Sequence, residues 1–200
     1  AVDADGNFVD GDQILAILAS GRKRNGALFG NTVVATVMSN LGFNIAMKEL
    51  EIEVIAAAVG DRYVLEEMRT GGFTIGGEQS GHVVLSEFAT TGDGVLTALH
   101  LMSEMKATGK SMAELAAIVN RLPQVLINVP NVDKSSVSKS AVSEAVAKLE
   151  QELGSTGRIL LRPSGTEPLI RVMVEAATAD QAQKVAKELA EVVATHCALS

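Results

Sequence analysis

Two patterns of strands and helices predict an α/β chain of two units: a mixed α/β/α sandwich, followed by a small α+β domain whose sheet is covered by helices on one face. Three observations carry this expectation. In NTVVATVMSNLG and EIEVIAAAVGDRYVLEEM a strand, a loop and a helix recur in that order, which is the spacing of a largely parallel sheet with crossover helices. Further on, RILLR and LIRVMVEA alternate on either side of a short turn, as neighbouring strands joined directly do. Between these regions Pro123 and Pro130 punctuate the chain, so the expected domains are residues 1–122 and 123–200.

The first element is a hairpin: Val2, Phe8 and Val9 flank the turn signal Asp5-Gly6 in AVDADGNFVDGD. Asp3, Asp5 and Asn7 have the alternate spacing of a calcium loop, but Phe8 stands where that loop needs glycine and Ile14 where it needs glutamate. Asp12 is then expected to cap a helix carrying Ile14, Leu15, Ile17 and Leu18, with Gly21 as its stop. After the two strand–helix units, the second helix starting near Asp61, FTI and HVVL read as short strands around GGEQSGH. A long helix follows TTGDG and is expected to bury Val95, Leu96, Leu99 and Met102. Another starts at Ser111, with Glu114 completing a capping box.

In the second unit PQVLINV is a strand, and Asp133 to Leu153 is expected to be one helix presenting Val137, Ala141, Ala145 and Leu149, ended by Gly154. Ile170, Val172 and Val174 share one face of the last strand. Thr178 and Gln181 form a capping box for a final helix that packs Ala182, Val185, Ala186 and Leu189 inward.

Composition narrows the function. With 17 Lys and Arg against 24 Asp and Glu the net charge is −7, which argues against a nucleic-acid binder held by phosphate neutralisation. An anion bound by this chain must meet a local cluster of cations. Cys197 is the only cysteine, so an internal disulfide is excluded and a reducing, cytoplasmic setting is expected. No apolar run approaches the roughly 18 residues of a membrane span, and the three histidines are not at metal-ligand spacing from one another.

Two loops carry the chemistry. In RPSGTEPLIR, Arg162 ends one strand and Arg171 lies in the next, while Ser164, Gly165 and Thr166 form the turn between them. Guanidinium forks, hydroxyls and turn amides are the parts of a phosphate site, and an ordinary turn with surface arginines is the alternative. In GGEQSGH, Glu78 can accept two hydrogen bonds from vicinal hydroxyls, Ser80 and His82 can donate or accept, and the glycines admit a ligand to the backbone. A glycine hairpin with a solvated glutamate is the alternative there. Arg62, in the GDR loop, reads as a second anion contact or an exposed helix-start residue. No nucleophile stands beside a base and no metal cluster is complete, so the residues describe binding of a phosphorylated polyol without the means to transform it.

Taken in order, VGDRYV, GGEQSGH, TTGDG and RPSGTEPLIRVMVE resemble the α-D-phosphohexomutase family over almost the whole chain. The resemblance implies the third and fourth of four domains. It implies sugar contacts from Glu78, Ser80 and His82, a clamp for the idle phosphate from Arg162, Ser164, Gly165, Thr166 and Arg171, and a cleft-facing place for Arg62. The phosphoserine and Mg²⁺ loops of the family are not in this sequence, which is therefore expected to be a carboxy-terminal piece with no metal ligands and no turnover of its own. Gln79 matches the branch that interconverts glucosamine 6-phosphate and glucosamine 1-phosphate, where phosphomannomutase/phosphoglucomutase members usually carry methionine. Mg²⁺ and the amino-terminal domains of the same enzyme are the implied partners of a hexosamine phosphate substrate, and a homodimer is left open. A phosphomannomutase/phosphoglucomutase and a non-catalytic phosphosugar-binding module are the alternatives.

Overall fold

The computed structural model describes residues 1–199, which fall into two compact units, Ala1–Arg121 and Leu122 onward. In the first, the order is α1 (Gly11–Arg24), β1 (Thr32–Thr36), α2 (Leu41–Glu49), β2 (Glu53–Ala57), α3 (Asp61–Gly71), β3 (Ile75–Gly77), β4 (Val83–Leu85), α4 (Gly94–Thr108) and α5 (Met112–Ala116). The strands lie in the order β2-β1-β3-β4. β1 runs parallel to both β2 and β3, and β4 closes the edge antiparallel to β3. This is the mixed α/β/α sandwich that the strand–helix alternation predicts. Its two faces are built by different residues: Leu15, Phe43 and Met47 belong to the core that α1 and α2 share with one face, while Val64 and Met68 of α3 pack with Val34 and Val84 on the other.

Local chemistry explains the elements and corrects several expectations. The Val2–Phe8 bridge forms, and its turn is closed by the Asp3 carboxylate, which accepts from Asp5 N–H and Asn7 N–H. Asp10, not Asp12, caps α1: its carboxylate accepts from Gln13 N–H and the Gln13 side chain accepts from Asp10 N–H. Asp12 is buried within the helix and accepts from Asn40 N–H at 2.7 Å, which positions the start of α2. Gly21 does not stop α1. A Cβ there would stand 2.3 Å from the Glu104 carboxylate of α4, so the glycine serves helix–helix approach. In α4 the inward residues are Thr97, Leu101 and the half-buried Leu96, whereas Val95, Leu99 and Met102 are exposed. The helix is apolar around much of its circumference, and periodicity alone could not choose the buried side.

The second unit comprises β5 (Gln124–Pro130), a 3₁₀ turn (Lys134–Ser138), α6 (Ser140–Leu153), β6 (Arg158–Pro163), β7 (Leu169–Glu175) and α7 (Ala179–His196). β7 is central and antiparallel to β5 and β6. Val129, Ile170, Val172 and Val174 meet Val142 and Leu149 of α6 and Val185 and Leu189 of α7 in one core, so the helices cover one face as expected. The stretch from Asp133 to Leu153 is two helical pieces, because Lys139 is extended (φ −60°, ψ 144°) between them. The Thr178 hydroxyl accepts from Gln181 N–H, the one bond of the anticipated capping box seen at α7. On the face away from the helices, Arg158 grips buried Glu175 through two hydrogen bonds at 2.8 and 3.3 Å.

Candidate functional site

In an open α/β sheet, ligands bind beyond the carboxyl ends of the strands, where neighbouring strands depart in opposite directions. The first unit follows that rule. β1 is flanked on one side by β2 and on the other by β3, and the residues following all three converge: Met38 after β1, Val59 after β2, and Glu78, Gln79 and Ser80 after β3 line one cleft of about 390 Å³. Phe8 of the hairpin, Asp10, Thr36 and Arg121 complete its wall, with Arg121 Nη1 3.7 Å from Asp10 Oδ2.

The Glu78 loop is held in place by backbone contacts. Gly11 N–H donates to Gln79 O at 3.0 Å, and a Cβ on Gly11 would lie 2.1 Å from Glu78 O, so only glycine lets the start of α1 support the loop this closely. Glu78 N–H donates to His82 O, closing the hairpin. The Glu78 carboxylate accepts from Gly60 N–H at 3.1 Å, which ties the loop to the GDR turn. One carboxylate oxygen is thus engaged, and the group keeps acceptor capacity for a ligand.

Not every anticipated residue joins the cleft. Ser80 lines it beside Glu78, but His82 and Arg62 do not. The His82 ring lies against Gly92, where a Cβ would stand 2.5 Å from Nε2, and that nitrogen is 3.8 Å from Asp61 Oδ2. Arg62 stacks over Tyr63 at 4.3 Å and donates to its hydroxyl. Nothing in the sequence marks Phe8, Thr36 or Arg121 as a cleft residue. They are far apart in the chain, and only the sheet topology brings them together.

In the second unit, Arg162 and Arg171 are direct cross-strand partners at the mouth of the β6–β7 turn. Asn128 of β5 is the partner of Arg171 on its other side, so the three residues form one row on the face away from the helices. The turn is closed at its neck by Ser164 N–H donating to Leu169 O at 2.9 Å. Ser164 is buried, and its hydroxyl accepts from Glu167 N–H, so this serine shapes the loop from inside. Gly165 and Thr166 are exposed at the tip, and their N–H groups donate to no protein acceptor among the described residues. Gly165 does not have a positive φ, and a Cβ there would meet nothing within 4 Å. What its missing side chain provides is open room above the loop. Arg171 Nη2 is 3.8 Å from Glu167, while Arg171 Nε is out of solvent with no hydrogen-bond partner. Free amides, two arginine forks and room above them are groups whose chemistry suits a tetrahedral oxyanion.

Among the described residues, no three His, Cys, Asp or Glu side chains are gathered so as to hold a metal ion. No helix among the described residues is long and apolar enough to cross a membrane.

The chain is thus an α/β/α sandwich with a cleft at its switch point, followed by an antiparallel unit with an arginine-flanked loop. Residues 10–122 match the model of the phosphoglucomutase/phosphomannomutase alpha/beta/alpha domain III, and residues 126–192 that of the phosphoglucomutase/phosphomannomutase C-terminal domain. The chain belongs to this family. It is similar to the phosphoglucosamine mutase of Corynebacterium efficiens, with 64% identity over 97% of this chain and 44% of the relative. It is similar also to that of a Nocardioides species, with 62% identity over 100% of this chain and 45% of the relative. The chain thus spans less than half the length of these relatives. Among solved structures, the Aspergillus fumigatus N-acetylphosphoglucosamine mutase matches 99% of this chain and 46% of its own with a TM-score of 0.82. At 21% identity this likeness speaks to the fold alone. A second structure of that enzyme, in complex with GlcNAc-6P and magnesium, matches with a TM-score of 0.79 and 21% identity, over 94% of this chain and 47% of its own.

Proposed function

We propose that this chain is the sugar- and phosphate-binding part of a cytoplasmic phosphoglucosamine mutase, which interconverts glucosamine 6-phosphate and glucosamine 1-phosphate through a phosphoserine and a bisphosphorylated sugar. The observation that carries the reading is the cross-strand pairing of Arg162 with Arg171 over a loop whose tip amides are free. Two like charges placed directly opposite on a sheet are unfavourable, and a phosphate dianion resolves the conflict. Glu78 and Ser80 contact ring hydroxyls in this reading, and His82 and Arg62 act by shaping the cleft's surroundings. Arg162, Gly165, Thr166 and Arg171 hold the phosphate that is not being transferred, with Ser164 holding the loop in shape. The same arginines serve in both orientations of the sugar, because the idle phosphate is chemically the same group in each.

Transfer itself needs a phosphoserine and Mg²⁺ from the rest of the enzyme, so the chain alone binds and does not turn over. Calorimetric titration with glucosamine 6-phosphate, inorganic phosphate and glucosamine tests the binding reading. The expected order of affinity is sugar phosphate, then phosphate, then free sugar. Failure of both phosphates to bind would overturn it. Mutase turnover by the chain with glucose 1,6-bisphosphate and Mg²⁺ should equal the blank, and clear turnover would refute the division of labour.

A further inference from the structure

We propose that Lys134 is a third cationic member of the anion site, a residue that neither sequence motif includes. The inference rests on the reading of the 162–171 loop as a phosphate clamp. After β5 the chain turns back at Asn131, which adopts the left-handed conformation (φ 58°) and donates its N–H to Pro168 O of the β6–β7 turn. Asp133 N–H then donates to Cys197 O at 2.7 Å. The Asp133 carboxylate is taken up by Ser135 N–H and by the hydroxyls of Ser135 and Ser136. These bonds set the 3₁₀ turn against the neck of the phosphate loop. They also use the nearest carboxylate in sequence, leaving Lys134 without it.

Lys134 is half-buried and donates from Nζ to Ser164 O at 2.8 Å. The carbonyl takes one of the ammonium's three donors, and no carboxylate forms an ion pair with Lys134 among the described residues. The ammonium has two further donors to offer. Of Arg162, Arg171 and Lys134 around this short loop, only Arg171 has a carboxylate within ion-pair distance among the described residues, that of Glu167, although the overall charge is −7. An anion in the loop supplies the missing counter-charge, and Lys134 then acts twice: it sets the position of the Ser164 carbonyl, and it adds field at the bound phosphate.

Titration of the full 200-residue chain with inorganic phosphate separates these roles. Lys134→Met and Lys134→Gln should weaken binding about tenfold, one charge-assisted bond's equivalent. Lys134→Arg should stay within about threefold, and the salt dependence should be shallower for the neutral variants. The melting temperature without phosphate should move little in Lys134→Gln, which separates a charge effect from a folding effect. If Lys134→Gln binds as the parent does while Arg162→Gln is weakened, the inference fails and the clamp stands. If Arg162→Gln is also unaffected, the clamp reading itself fails.

Discussion

Replacing Arg162 by glutamine should make the second unit more stable in the absence of phosphate and less stable in its presence. Arg162 and Arg171 face each other across β6 and β7. Directly opposed side chains begin about 5 Å apart at Cβ, and two unit charges about 6 Å apart repel by roughly 0.7 kcal/mol at the dielectric of water and about 1.4 at half that value. Glu167, 3.8 Å from Arg171, offsets part of this, leaving a gain of about 0.5–1 kcal/mol on neutralisation. For a unit of this size that is a rise in melting temperature of about 2–8 °C. The loss on the ligand side is larger: one charge-assisted bond contributes about 1.5–3 kcal/mol, so affinity falls about ten- to a hundredfold. Phosphate at about a hundred times its Kd stabilises the parent by about 2.7 kcal/mol and should reverse the order of the two proteins. Thermal unfolding with and without phosphate reads this directly. A variant less stable than the parent without phosphate, or one whose rank does not change on adding it, would refute the reasoning.

Other perturbations test the supports. Gly11→Ala puts a Cβ 2.1 Å from Glu78 O and strains the bond to Gln79 O; urea unfolding should show a loss of about 2–4 kcal/mol in the first unit, from overpacking and a weakened hydrogen bond. Glu175→Ala removes the buried partner of Arg158 and should cost the second unit about 3–5 kcal/mol in the same assay. Hydrogen bonds from Ser136 and Ser135 hold the Asp133 carboxyl below the usual carboxylate value. A depressed folded-state value means that the contribution is present above the unfolded pKa and fades as pH falls through the folded one. The protection of the Ser135 amide, its exchange rate measured against the intrinsic rate at the same pH, should therefore persist at neutral pH and fall only in acid below the ordinary carboxylate range, and Asp133→Asn should flatten that response.

Much of this was legible in the chain because local rules and tertiary packing agree. The stripe Ala182, Val185, Ala186 and Leu189 of α7 is buried as its spacing requires, and RPSGTEPLIR holds both arginines within one hairpin, so strand register alone pairs them. What was not legible depends on contacts between distant segments. Gly21 reads as a helix stop until Glu104 is seen against it. The exposed side of α4 carries Val95, Leu99 and Met102, which no period distinguishes from its buried side. Arg121 and Phe8 enter the cleft from opposite ends of the first unit. Lys134 reaches Ser164 across 30 residues of sequence, and nothing in NVDKSSV marks it.

The proposed reading assigns hydroxyl recognition to the Glu78 loop of the first unit and, separately, phosphate recognition to the Arg162–Arg171 loop of the second. Amide NMR of the labelled chain, titrated with glucosamine 6-phosphate and separately with inorganic phosphate, tests it most directly. Both ligands should shift the amides of Gly165, Thr166 and Glu167, and only the sugar phosphate should also shift Glu78, Gln79 and Ser80. Shifts confined to other residues, or an unmoved Gly165–Glu167 tip at saturating phosphate, would contradict the account.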